Sequence, residues 1–176
     1  MCRYRCWNAL LLLCISLVMN GPAQSQEAAH PLASHRSPVD LVVNPTDTWA
    51  VTVNQTSGTL SLVGLEEGVV WDEVPVGKRP VAVTLGPQSR RVYVGCSYSG
   101  DVHVLEISGK QLLPIAVIHT GWQPHEVTIS PDNQRAYVAL AAANQVGVID
   151  LQLRKVVTRI DVGRWPRYLA LSPDGK

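Results

Sequence analysis

Charge is scarce in this chain, and no run of one sign concentrates it. Asp, Glu, Lys and Arg make up 16% of the 176 residues, with 15 basic against 14 acidic side chains. Nucleic acid and anionic membrane surfaces both call for a concentrated basic face, so neither is an expected partner. Cysteine is equally sparse. Of four, Cys2, Cys6 and Cys14 lie near the start and Cys96 stands alone after them. Once the start is removed no intrachain disulfide can form, and Cys96, in an apolar alternating run, reads as a buried and inert thiol. There is no CxxCH, HExxH, GxxxxGK[ST] or GxSxG. No covalent c-type haem is attached within these residues, and no cofactor or metal is expected in this segment. Long apolar runs are also missing. The longest, Ala9 to Met19, has 11 residues, too few to cross a bilayer as a permanent helix.

That run has a different use. Arg3 and Arg5 precede it, Asn20-Gly21-Pro22 break it, and Ala23-Gln24-Ser25 supply small residues for cleavage. Residues 1–25 therefore read as a signal peptide. The expected location is exported, either periplasmic or at the cell surface, with no membrane span after signal removal. Loss of Arg3 and Arg5 leaves 13 basic residues against 14 acidic ones. Residues 26–36, polar and small without periodicity, read as a linker.

What the chain does have is repetition. Pro45, Pro87, Pro131 and Pro173 lie 42, 44 and 42 residues apart. Pro38, Pro80, Pro124 and Pro166 repeat the same spacing, the last three inside GKRP, GWQP and GRWP. The third unit shows the grammar best. HEVTIS (125–130) is a strand, SPDNQ a turn, RAYVAL (135–140) its antiparallel partner, and QVGVIDL (145–151) and KVVTRIDV (155–162) complete the unit. Proline presets φ for the turn, and Asp132 and Asn133 tolerate its unusual dihedrals. Period-two apolar spacing and β-branched residues argue for strands throughout, and no segment reads as a helix.

A unit of some 42 residues with four short antiparallel strands has the size of a β-propeller blade. The expected fold is all-β, with three full blades (37–79, 80–123, 124–165) and the first strand of a fourth (166–176). Complete rings hold about 4 to 8 blades, so the expectation is a longer protein of which this is the front part. Trp71-Asp72 occurs once, with no GH element before it, and does not mark a WD40 repeat. Asn54-Gln55-Thr56 fits a glycosylation sequon on an expected loop.

The unit also resembles a known family. RAYVAL followed by VGVIDLQLRKVVTRIDVGRWP, and again RVYVGC with DVHVLEI, closely resemble the YVTN-type β-propeller repeat. The resemblance runs from about Ser37 to Lys176. It is weaker in the first unit, where Val51 replaces the tyrosine and Gly64 the aspartate of VID. Similar repeats occur in exported and surface-layer propellers, in seven-bladed lactonases, in haem-containing nitrite reductases, and ahead of di-haem cytochrome c peroxidase-like domains. The resemblance implies an exported binding or scaffold module. The alternatives are the non-catalytic front of a larger redox enzyme of the di-haem peroxidase type and, third, a lactonase-like propeller.

Propellers bind at the channel mouth, where the loops leading into each innermost strand converge. Register gives the residues there: Val39 and Asp40, Val81 and Ala82, His125 and Glu126, Arg167 and Tyr168. The third and fourth units are the informative ones. Trp122, Gln123, His125 and Glu126, with Arg164, Trp165, Arg167 and Tyr168, form a candidate site for a small anionic or aromatic ligand or a protein partner. Blander readings stand beside it. The two indoles can cover the gap between blades, and Glu126 with Arg167 can be a solvated pair worth at most about 1 kcal/mol. Neighbours on a strand point to opposite faces, so His125 and Glu126 are not expected to share a metal. His103 and His119 read as surface residues.

Overall fold

The computed structural model describes residues 36–121 and 123–172. The expected signal peptide, nearly all of the linker, Trp122 and the last turn lie outside them. The described chain forms three four-stranded antiparallel sheets, each built in chain order. The first holds β1 (Pro38–Val43), β2 (Trp49–Asn54), β3 (Thr59–Gly64) and β4 (Val69–Pro75). The second holds β5 (Pro80–Leu85), β6 (Arg91–Cys96), β7 (Asp101–Ser108) and β8 (Gln111–His119). The third holds β9 (Pro124–Ile129), β10 (Arg135–Leu140), β11 (Gln145–Asp150) and β12 (Lys155–Asp161). One helical turn, Ala141–Ala143, is all the helix among the described residues. These are blades of a partial β-propeller, as the repeat implied.

The first turn of every blade is built alike. The residue before the turn proline accepts the N–H three positions on, from Asp47 to Asn44, from Ser89 to Gly86 and from Asn133 to Ser130, at 2.8 to 3.0 Å. Those three donors have φ between 52° and 56°, the left-handed region that short polar residues tolerate. Side chains reinforce two of the turns. Asn44 Oδ1 accepts the N–H groups of Thr48 and Trp49, and Ser130 Oγ accepts that of Arg135, all at 2.9 Å.

Two apolar slabs hold the blades together. Val51, Val53, Leu60 and Leu62 of the first blade meet Val92, Val94 and Leu105 of the second, and all are at most 1% exposed. On the other face of the second blade, Tyr93, Val102 and Ile118 meet Ala136, Val138 and Ile149 of the third. Successive residues of β6 therefore serve different slabs, the alternation a strand imposes. Leu41 of β1 and Ile160 of β12 stay 60% and 48% exposed, since no described sheet packs on their sides.

The first blade's departure from the repeat has a packing cause. Gly64 lies directly under the Trp71 indole, where a Cβ would overlap the ring. Trp71 takes the space that an aspartate there would need. Its neighbour Asp72 accepts the Leu112 N–H at 2.7 Å and ties the outer strand of the first blade to the second.

Two expectations need correction. Residues 166–172 form no strand, because no described segment pairs with them; Leu169 only donates its N–H to Glu126 Oε2 at 3.4 Å. Asn54 is not on a loop. It ends β2, is 1% exposed, and donates its amide to Thr59 and Ser61. A glycan cannot be attached there without unfolding the edge of the blade.

Candidate site at the channel mouth

The mouth is shaped by a fault that repeats in every innermost strand. Pro38 pairs with Asn54 but Asp40 with Val53, Pro80 with Cys96 but Ala82 with Gly95, and Pro124 with Leu140 but Val127 with Val138. Each time the inner strand carries one residue more than its partner. Such a bulge breaks the alternation of faces and re-aims side chains. It is preceded by a second irregularity. Ser37, Arg79, Gln123 and Trp165, each immediately before the proline, all have φ between 49° and 56°. Left-handed backbone costs a non-glycine residue roughly 1–2 kcal/mol. Three of these residues are pinned by a hydrogen bond from the end of the second strand: Gln55 N–H to Ser37 O, Ser97 N–H to Arg79 O and Ala141 N–H to Gln123 O.

The bulges bring the registered pairs to one place. Val39, Asp40, Val81, Ala82, His125, Glu126, Arg167 and Tyr168 line a single cavity of about 230 Å³. His125 and Glu126, adjacent in sequence, both contribute to its lining.

Electrostatics bind the members to one another. Burial pushes the His125 imidazole below its ordinary value of 6.5, and the positive charges of Arg167 and Arg79 push it further. Burial raises the Glu126 carboxyl above 4.5; the Leu169 N–H opposes this and the charge of Asp40 adds to it. Both carboxylates already hold backbone. Asp40 Oδ2 accepts the Val83 N–H at 2.8 Å, as Glu126 does that of Leu169. In the intervening blade the same register position is Ala82, so that junction has no carboxylate bridge.

Of the candidates, the structure therefore gathers His125, Glu126, Arg167 and Tyr168. Gln123, Arg164 and Trp165 are exposed and outside the cavity lining, and Trp122 lies outside the described residues. The Glu126–Arg167 ion pair does not form among the described residues. Arg167 faces the cavity without an ion-pair partner among them, and the Tyr168 ring beside it is 87% exposed. Asp40 is the participant that sequence reasoning undervalued, although its register with Glu126 was readable. Arg79 was missed too. Its guanidinium lies 4.6 Å from the centre of the Tyr98 ring and donates to the Tyr98 hydroxyl.

A further cavity of about 190 Å³ lies at the opposite end of the second blade, against the Gly86 turn. Its Arg90 is already paired with Glu106 at 2.9 Å. No helix among the described residues is long and apolar enough to cross a membrane.

Solved structures with the same architecture are β-propellers. A hydrazine synthase chain from Kuenenia stuttgartiensis matches 85% of this chain at 29% identity and a TM-score of 0.75, over 43% of its own length. The periplasmic gluconolactonase of Pseudomonas aeruginosa matches 74% at 18% identity and TM-score 0.65, over 41% of its length. The Cps50 (Swd1) β-propeller domain of Myceliophteria thermophila matches 78% at 11% identity and TM-score 0.66, over 46% of its length. The chain thus spans less than half of each. No family model matches it, and no curated protein does.

Proposed function

We propose that this chain is part of an exported YVTN-type propeller that works by binding, and that its mouth recognises a carboxylate. One observation carries the reading: residues following the repeated proline in four successive units converge on one cavity, where Arg167 is a cation without an ion-pair partner among the described residues. A guanidinium offers a carboxylate a planar two-pronged fork. Tyr168 adds an exposed ring for an aromatic body, and Asp40 and Glu126 select against ligands carrying further negative charge near them. The carboxylate can belong to a small aromatic acid or to an acidic side chain of a partner protein.

Calorimetry with two probes, benzoate and a Glu-rich peptide, tests this on the full-length protein. Binding of one of them, lost in Arg167→Ala while circular dichroism is unchanged, supports the reading and identifies the source. Failure of both probes, or binding undiminished by Arg167→Ala, overturns it.

The likeness to a hydrazine synthase chain supports a second reading, in which the propeller is a non-catalytic segment of a larger redox enzyme, with any haem domain outside residues 1–176. A haem stain on the purified full-length protein tests it. The likeness to a gluconolactonase, at 18% identity, speaks for the fold alone.

A further inference from the structure

The mouth end of the second blade carries another group of side chains, outside the cavity described above. Cys96 ends β6, and Asp101 and His103 begin β7. Their potential ligand atoms all lie within 4.8 Å of one another. The sheet register explains why. Cys96 pairs directly with Asp101, and His103 is two residues further along the same strand, so all three project from one face.

Comparison among the blades shows that the fold does not demand these residues. The three positions are Asn54, Thr59 and Ser61 in the first blade and Leu140, Gln145 and Gly147 in the third. In the first blade Asn54 donates to both hydroxyls, at 3.0 and 2.8 Å, which makes a neutral network. In the third, Leu140 occupies the room above Gly147. A hydrogen-bonded patch or an apolar one completes the blade equally well. Only the second blade places sulfur, carboxylate and imidazole there.

The surroundings hold the group in position. His103 Nε2 lies 3.3 Å from Asp101 Oδ1, and Ser99 Oγ donates to the same oxygen at 2.9 Å. Ser99 in turn accepts the Lys78 N–H at 3.0 Å. Gly77 passes over the top, where a Cβ would overlap Ser99 Oγ and stand 2.7 Å from Asp101 Oδ1 and 2.8 Å from Cys96 Cβ. Cys96 is fully buried, whereas the Asp101 and His103 side chains keep 14% and 19% of their exposure, so the group has a way in from solvent.

We propose that Cys96, Asp101 and His103 form a binding site for a divalent metal ion of borderline softness, zinc above all. One sulfur, one nitrogen and one oxygen donor suit zinc, and three protein ligands leave a fourth position for water. Burial, with the charge of Asp101, pushes the Cys96 thiol up to about 12. On binding, the S–H bond breaks, a sulfur–metal bond forms and one proton goes to solvent.

Cobalt(II) titration of the full-length protein, with Cys2, Cys6 and Cys14 replaced by serine, tests the site. The expected result is a thiolate-to-cobalt charge-transfer band that saturates at one equivalent, is displaced by zinc and releases one proton per ion. Cys96→Ser abolishes the band; Asp101→Asn and His103→Gln each weaken binding roughly tenfold or more. Because Cys96→Ser can disturb the packing, X-ray absorption of the zinc-loaded protein gives a second reading, one sulfur neighbour at about 2.3 Å. Absence of the band, a band undiminished in folded Cys96→Ser, or a zinc shell without sulfur overturns the proposal.

Discussion

Asp40 of the first blade accepts the backbone N–H of Val83 on the second at 2.8 Å, so the innermost strands are joined by a side chain as well as by packing. Hydrogen bonds to a charged acceptor contribute about 1.5–3 kcal/mol. Asp40→Ala should lower stability by about that much, and Asp40→Asn by less, because an amide oxygen still accepts the bond. Urea unfolding of the three proteins measures it. Equal stability of wild type and Asp40→Ala would show the bridge to be incidental.

The slab between the first two blades should respond more strongly. Leu62 is fully buried in it, and truncating such a leucine removes apolar contacts and leaves a cavity. Leu62→Ala is expected to cost about 2–5 kcal/mol. The equivalent change at exposed Leu41 should cost far less. Similar losses at the two sites would place the blade interface elsewhere.

Two mouth residues give stability opposite dependences on pH. His125 is held below 6.5 by burial and by Arg167 and Arg79. As pH falls below 6.5 the unfolded chain takes up a proton that the folded one resists, so stability drops. Glu126 is raised above 4.5 by burial. As pH rises through 4.5 the unfolded chain gives up a proton that the folded one keeps, and stability again drops. Thermal melts across this range should show His125→Gln losing less than wild type on acidification. Glu126→Gln should gain on wild type above pH 4.5. Curves parallel to wild type in both variants would mean that neither group is perturbed in solution.

Asn54 should stay bare. Its amide is engaged by Thr59 and Ser61 inside the blade edge, so peptide mass spectrometry after expression in a glycosylating host should find residue 54 unmodified. A glycopeptide spanning it would show that β2 ends earlier than described.

The blades themselves were legible because each repeats the same local instructions. Proline with a short polar residue sets the turn, and alternating β-branched residues set the strands; RAYVAL matches β10 residue for residue. The convergence of the eight mouth positions also followed from the spacing of the prolines. Which of them face the cavity did not. That depended on the bulge after each proline, a property of pairing with the second strand that HEVTIS by itself does not state.

The same division accounts for Asn54 and His103. A sequon and an isolated histidine look exposed when only their neighbours in the chain are considered. Burial and partners come from strands β3 and β7 folding back across β2 and β6. The sequence by itself determined the all-β repeat, its turns and the size of its unit, since these depend on residues within a few positions of one another. Only the tertiary structure decided which groups meet: the Asp40 carboxylate with the Val83 N–H, Trp71 over Gly64, and Cys96 beside Asp101 and His103. Those meetings depend on register and on the stacking of one blade against the next, over distances that no local pattern encodes.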